Sequence, residues 1–295
     1  MPFAHTPYDG SAQPFTIGLK RLDLAEWIEP DERLEADLAG KETLLRDNRA
    51  AVFREEDGSR AAQGEVLALL TSHLVQRFPA LYRLDDSQMR IGAGGRSVAL
   101  GNDAPLLVAG RLVQEDLVLL QRGKTGWRMV AASLSFPSSW LLADKIGRDM
   151  AAIHHDVPGY AGQMGDRIAR IFDHLSVDQP VWRLNWSLQG NDRLHHPPQT
   201  GDGARFPSGA ELAQSVHIRV ERQTLRRLPE TGAILFTIRI HLDPLDALRR
   251  QADRANLARG LSQQLSDLTA PQLAYKGLGD HRDDIAALLA EIADS

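Results

Sequence analysis

Histidine is the residue type in this chain best suited to bind a redox metal, because the sequence contains no cysteine. Without thiolates, the chain cannot hold an iron–sulfur cluster or a thiolate-ligated haem. If it binds iron, imidazole is the expected ligand. Two adjacent pairs are candidates, His154 with His155 and His195 with His196. Neither pair belongs to a zinc pattern such as His-Glu-x-x-His. His154 and His155 could instead cap a helix end or fill a polar gap in the core, and the loop setting of His195 and His196 favours simple solvent exposure.

A second candidate group lies in a strand-like segment that starts at His217. Alternation places Arg222 and Thr224 on the same face as two apolar residues, whereas Glu221 and Gln223 lie on the opposite face. A buried guanidinium needs a carboxylate or an anionic ligand to offset its desolvation. The segment could also be an edge strand whose arginines reach water.

The elements around these residues predict a mixed α+β fold. Residues 117–120 and 127–136 form a hairpin pattern around the Gly123–Gly126 turn, and three strand patterns follow at 181–188, 217–228 and 234–242. Helical patterns at 141–153 and 160–175 lie between the two groups of strands. We therefore expect an antiparallel sheet with helices over one face, and a pocket for a flat cofactor between them.

The flanking regions are predicted to be mainly helical. Residues 1–80 combine an irregular lead-in with short helices, of which residues 64–78 form the clearest one, ended by Pro79. Residues 251–295 form a helical tail with a break near Gly277. The expected organisation is an N-terminal extension over 1–80, a central domain over 81–250, and the C-terminal tail. Residues 191–209 are predicted to be a loop.

The net charge and the lengths of the apolar runs indicate which classes of partner the chain can bind. The net charge is -5 and 43% of the residues are hydrophobic, so we expect no nucleic-acid partner. No apolar run reaches the roughly 20 residues that span a bilayer, and the first residues lack a secretion signal. A cytoplasmic protein without a membrane partner is expected. Gly123-Lys124-Thr125 is not a phosphate loop, because Val118 stands where the first glycine is required.

Taken together and in order, five short motifs resemble the haem-dependent oxidative N-demethylase family, and in particular its dimethylamine monooxygenase catalytic subunits. Each motif is weak alone, but the set is specific and spans about residues 14–245. The motifs are Phe136-Pro137-Ser138-Ser139-Trp140; Lys145-Ile146-Gly147; Ile153-His154 with Val157-Pro158-Gly159-Tyr160; Arg183-Leu184-Asn185-Trp186; and Arg219-Val220-Glu221-Arg222-Gln223-Thr224-Leu225 with Leu228-Pro229.

The resemblance implies a PAS-like domain that binds haem b and a monooxygenase reaction on dimethylamine and O2. Its products would be methylamine and formaldehyde. Electrons would come from NADPH through FMN and a 2Fe-2S cluster on a partner reductase subunit, because this chain has no cysteine for a cluster. Tetrahydrofolate would bind to another partner subunit, which receives the formaldehyde.

The resemblance also implies roles for individual residues. His154 would be the axial ligand of the haem iron, with His155, His195 and His196 as rivals. Glu221, Arg222 and Gln223 would be catalytic residues of the distal pocket. Since alternation separates Arg222 from the other two, Arg222 is the expected hydrogen-bond donor to oxygen. The haem propionates would contact Lys145 and Arg148, although a solvated helix face explains these two residues equally well.

The alternative function is a PAS-type haem gas sensor or binding module. Sensors of this kind are normally joined to an output domain, and the sequence shows no kinase, cyclase or helix-turn-helix segment. The helical tail also lacks a sustained heptad pattern. An oxygenase subunit is therefore the preferred prediction.

Overall fold

The computed structural model of the chain describes residues 2–198, 206–207 and 210–295. Its strands are β1 (Lys20–Arg21), β2 (Phe53–Glu55), β3 (Tyr82–Asp85), β4 (Gln88–Ile91), β5 (Arg96–Ala99), β6 (Asp116–Gly123), β7 (Gly126–Ser133), β8 (Val181–Gln189), β9 (His217–Arg227) and β10 (Ile234–Pro244). Its α-helices are α1 (Leu34–Val52), α2 (Arg60–Arg77), α3 (Pro105–Gly110), α4 (Leu142–Lys145), α5 (Met150–Ile153), α6 (Gly165–His174), α7 (Ala210–Ser215), α8 (Arg254–Ser266), α9 (Ala270–Lys276) and α10 (Arg282–Asp294).

A seven-stranded antiparallel sheet organises the molecule, with the order β1-β8-β9-β10-β6-β7-β2. The long central strands β9 and β10 pair along their full length, from Arg227 opposite Ile234 to His217 opposite Pro244. β3, β4 and β5 form a separate three-stranded sheet. The prediction of a mixed α+β fold with an antiparallel sheet is confirmed.

The two faces of the large sheet have different coverings. The chain between β7 and β8, which contains α4, α5 and α6, packs on one face with β6, β7 and β9. We call this the cavity face. The opposite face, which we call the outer face, packs against α1, α2 and α3 in one region and against α8, α9 and α10 in another. Helices therefore lie on both faces rather than on one.

Backbone register assigns each residue of β8 and β9 to a face. Leu184 lies opposite Arg222 and Trp186 opposite Val220, so these four residues share the outer face. Asn185 lies opposite Glu221 on the cavity face. β8 thus has large apolar side chains on one face and polar side chains on the other, as expected for a strand that covers a core on one side and a binding site on the other.

Several local predictions hold in full and one in part. The 117–136 hairpin, the three later strands, the helix over residues 64–78 and the helical tail are all present. The helical region predicted over 141–153 holds only in part, because it contains two short helices, α4 and α5, separated by a break. Gly147 adopts a φ of 74° between α4 and α5, a conformation that breaks a helix. The small sheet of β3, β4 and β5 was not predicted. Of the predicted loop at 191–209, residues 199–205 and 208–209 lie outside the described part of the chain.

Candidate functional site

A cavity of about 530 Å³ lies between the cavity face of the sheet and the chain that joins β7 to β8. Its volume falls within the range of roughly 300–1,000 Å³ that is typical of small-molecule sites. Apolar side chains from both walls make up much of its surface, among them Val118, Leu225 and Phe236 from the sheet and Ile153, Ile168 and Phe172 from the helical side. Strands β8 and β9 contribute polar side chains to the sheet wall, namely Arg183, Asn185, Ser187, Gln189, Glu221 and Gln223.

His154 belongs to the helical wall of this cavity. It follows α5, whose first turn is capped by the Asp149 carboxylate, which accepts from the Ala152 amide. The His154 ring stacks on Tyr160, with ring centres 4.6 Å apart and an angle of 9° between planes. The Pro158-Gly159 turn, in which Gly159 has a φ of 81°, brings Tyr160 back to this position.

Hydrogen bonding fixes the tautomer of the His154 imidazole. Nδ1 lies 2.9 Å from the carbonyl oxygen of Met150, which can only accept, so Nδ1 is the donor. Burial lowers the pKa of His154, the charges of Lys145 and Arg183 act in the same direction, and the Met150 carbonyl opposes them. The neutral ring therefore has its lone pair on Nε2, and no described residue hydrogen-bonds to that atom.

The other candidate histidines lie in different environments. The side chain of His155 is 85% exposed and pairs with Asp156. The Nδ1 of His195 lies 2.6 Å from the Ser135 carbonyl oxygen, and His195 is outside the cavity lining. His196 is buried and does line the cavity. Of the four histidines considered from the sequence, His154 and His196 thus reach the same cavity.

β9 contributes a carboxylate and an amide to the cavity, from Glu221 and Gln223. The Gln223 Nε2 donates to the Glu221 carboxylate at 3.0 Å. Arg219, which is buried on the same face of β9, lies 3.3 Å from Glu221 and donates to the Phe136 carbonyl at 2.6 Å. Asn185, opposite Glu221 on β8, also lines the cavity. The carboxylate is therefore held in place from several sides.

Arg222 does not join this group, because it lies on the outer face of the sheet. Its Nε contacts the Glu29 carboxylate at 2.9 Å, and its guanidinium donates to the Trp27 carbonyl at 3.3 Å. The guanidinium also lies over the Trp182 ring, 5.3 Å from its centre. The structure brings Glu221 and Gln223 together with His154, and it places Arg222 in a buried ion pair elsewhere.

Charged side chains of both signs line the cavity: Lys145, Arg183 and Lys276 are basic, and Asp116, Glu221 and the exposed Asp156 are acidic. Arg183 lines it from β8, and its buried Nε has no hydrogen-bond partner among the described residues. Desolvation lowers the pKa of Arg183, partly offset by Glu221. Desolvation also lowers the pKa of Lys276 to about 8, and its Nζ donates to the Trp186 carbonyl. The two buried acids face other cations, since Asp116 lies 3.7 Å from Lys41 and Glu221 lies 3.3 Å from Arg219. Arg183 and Lys276 make no salt bridge with the described residues, so an anionic ligand would offset their desolvation.

Lys145 and Arg148, both suggested by the sequence as propionate contacts, have different positions. Lys145 lines the cavity and donates to the Ile153 carbonyl at 2.5 Å, whereas Arg148 is exposed and outside the lining. Sequence reasoning missed Arg183 and Lys276. A polar alternation in β8, with Arg183, Asn185 and Ser187 between tryptophan and leucine residues, was the available signal for the first of them.

This combination of groups fits a haem. A neutral imidazole with an unbonded Nε2 can ligate iron, the apolar walls suit a porphyrin ring, and the unpaired cations suit its two carboxylates. The described part of the chain offers these three features in one cavity. The residues present are therefore chemically suited to a planar, anionic, iron-containing cofactor.

Comparison with known families agrees with this chemistry. The family model described as "Haem-dependent oxidative N-demethylase, alpha subunit-like" matches residues 18–286. The chain belongs to this family. Membership supports an oxidoreductase with haem-dependent oxidative N-demethylase activity in general, and an alpha-type subunit of a multi-subunit assembly. Among the described residues, the helices are too short or too polar to cross a membrane.

Proposed function

We propose that this chain is the haem-binding catalytic subunit of a dimethylamine monooxygenase, with a PAS-like arrangement of sheet and helices around haem b. His154 Nε2 would be the axial ligand, and Arg183, Lys276 and Lys145 would contact the propionates. The observation that carries the proposal is the His154 ring itself. Its Nδ1 donates to the Met150 carbonyl, and its neutral Nε2 has no hydrogen-bond partner among the described residues, in a cavity with apolar walls.

Glu221 would bind the substrate. Dimethylamine is an ammonium ion at neutral pH, and a carboxylate in a partly buried site binds ammonium by a charge-assisted hydrogen bond. Glu221 and Gln223 come from the sheet wall of the cavity, whereas His154 comes from the helical wall. The amine would thus be held on the side of the cavity away from the axial ligand, where Gln223 and Asn185 could orient it.

The proposed reaction balances with two electrons. Dimethylamine, O2, two electrons and two protons give methylamine, formaldehyde and water. The haem supplies the activation of O2 when bound. The protein residues bind the ammonium, orient one methyl group, and exclude water through the apolar walls. Arg222 has no part in this proposal, because it lies on the other face of the sheet and is paired with Glu29.

The electrons and the product require partners. The chain has no cysteine and so cannot ligate an iron–sulfur cluster through thiolates. We propose that NADPH, FMN and a 2Fe-2S cluster act on a reductase subunit, and that a further subunit binds tetrahydrofolate and receives formaldehyde. The assembly would be cytoplasmic.

The test is an amine titration of the haem-loaded protein, followed by turnover. Dimethylamine should change the Soret band saturably, and addition of a reductant system and O2 should release one formaldehyde for each methylamine. Trimethylamine and ethanol serve as a larger amine and a neutral control. A haem spectrum that responds to O2 but to no small amine, with no formaldehyde formed, would refute the proposal and favour a haem gas sensor.

A further inference from the structure

Two histidines and a glutamate meet on the outer face of the sheet, on the side away from the cavity. His5 lies in the N-terminal segment, Glu29 follows the short helical turn at Leu24–Glu26, and His241 lies on β10. One ligating atom from each side chain lies within 4.8 Å of the other two. Three segments distant in sequence thus present one metal-ligand set.

The distances suit a single bound ion. The Glu29 Oε2 lies 2.9 Å from His5 Nε2 and 3.4 Å from His241 Nε2. Zinc binds imidazole and carboxylate at about 2.0–2.1 Å, so tetrahedral ligands lie about 3.3 Å apart. The separation to His241 matches this value, whereas the separation to His5 is about 0.4 Å shorter, so a bound ion would move His5 and Glu29 slightly apart. The His5 and His241 rings meet edge to face at 5.1 Å, which keeps both nitrogen atoms on one side.

One of the three candidate ligand atoms has no hydrogen bond to the described residues. The His241 Nε2 is buried and makes no hydrogen bond, although it lies 3.4 Å from the carboxylate. The side chains of His5, Glu29 and His241 are 17%, 28% and 12% exposed, so an ion could enter but would be largely screened from water. A cation between the His241 Nε2 and the Glu29 carboxylate would give this buried nitrogen a partner.

The Glu29 carboxylate lies between the two imidazoles and a guanidinium. One of its oxygen atoms, Oε2, faces His5 at 2.9 Å and His241 at 3.4 Å. Arg222 binds the other carboxylate oxygen at 2.9 Å, as outer-shell partners of metal ligands do.

We infer that His5, Glu29 and His241 form a binding site for one divalent transition-metal ion, with Zn²⁺ as the expected occupant. Three protein ligands leave a fourth position for water. The ion would fasten the N-terminal segment to β10 and would be structural, because the site lies on the opposite face of the sheet from the haem cavity. The inference does not depend on the proposed reaction.

The test measures zinc binding to the haem-loaded full chain after treatment with a chelator. Calorimetric titration with ZnCl₂, followed by desalting and elemental analysis, should give one zinc per chain beside the haem iron. Loss of an outer-shell partner alone weakens metal binding by about 10- to 100-fold, so His241→Ala and His5→Ala should each weaken it by at least 100-fold. Zinc should raise Tm in the parent protein and leave both variants unchanged.

A matched control and a second variant keep the result decisive. His174 is exposed, and its ring hydrogen-bonds within its own helix. The protein that carries His174→Ala should therefore bind zinc as the parent protein does. If His241→Ala does not fold, His5→Ala still removes a ligand from the N-terminal segment. Less than 0.2 equivalents of zinc in the parent protein, or equal affinity in the parent and the His5→Ala variant, would show a purely hydrogen-bonded cluster and overturn the inference.

Discussion

Removal of the Glu221 charge should weaken dimethylamine binding while leaving the haem site intact. In the parent protein, a ligand with three non-hydrogen atoms can gain at most about 1.5 kcal/mol per atom. This ceiling of about 4.5 kcal/mol corresponds to a Kd of roughly 0.5 mM. Glu221→Gln preserves the shape and the contact with Gln223, so the change isolates the charge.

The size of the effect follows from the surroundings of the carboxylate. A hydrogen bond to a charged group contributes about 1.5–3 kcal/mol, or about 10- to 150-fold in Kd. Glu221 is 16% exposed and already accepts from Arg219 and Gln223, which places the expected loss at the lower end. We predict a 10- to 30-fold increase in Kd, to roughly 5–15 mM.

The assay is a titration of the Soret band with dimethylamine, repeated with steady-state formaldehyde release. Asp156→Asn is the matched control, because Asp156 also lines the cavity but its side chain is 77% exposed. Screening by water should limit its effect to less than about twofold. If Glu221→Gln binds haem normally and its Kd changes by less than twofold, Glu221 does not bind the amine.

Three further predictions concern charged groups outside this contact. Arg222→Ala should lower the free energy of unfolding by about 2–4 kcal/mol, because it leaves Glu29 without its buried partner, while the Soret band of the folded fraction stays unchanged. Burial lowers the pKa of His73 to about 4, so His73 stays neutral in the folded state while it becomes protonated in the unfolded state. The free energy of unfolding should therefore decrease as the pH falls from 6.5 to 4. In denaturant titrations at pH 5, His73→Phe should make this decrease about 1 kcal/mol smaller. Burial lowers the pKa of Lys276 to about 8, so this group should add about 1–2 kcal/mol to the stability of the haem-free protein as the pH rises from 8 to 10.5. Lys276→Met should reduce the rise by that amount, whereas Lys41, whose pKa burial also lowers, keeps its own contribution.

The three later strands can be predicted from the sequence because the period-two alternation in β8, β9 and β10 is strong. That alternation also separated Glu221 and Gln223 from Arg222 correctly. It could not say which face carries the cavity, because both faces of the sheet are covered and both hold charged residues. The chemistry of a guanidinium favours Arg222 as the donor to oxygen, but its partner Glu29 lies 193 positions earlier in the sequence, beyond the reach of any local pattern.

The helical wall was less predictable. A helical composition over residues 141–153 hides the break at Gly147, whose positive φ allows the following residues to pair with β7 through the Met129 amide and the Arg148 carbonyl. The cluster of His5, Glu29 and His241 shows the same limit. Its three members come from the N-terminus, a turn and a late strand, and only the folded sheet brings them together.

Ligation of haem through His154 is the central claim, and imidazole rescue tests it most directly. The full chain carrying His154→Gly should lose the Soret band of the parent protein, and free imidazole should restore it, because a small ligand can occupy the vacated space beside Tyr160. His155→Gly, which removes an exposed ring, should keep the parent spectrum and one haem per chain. An unaltered Soret band and haem content in His154→Gly would contradict the account.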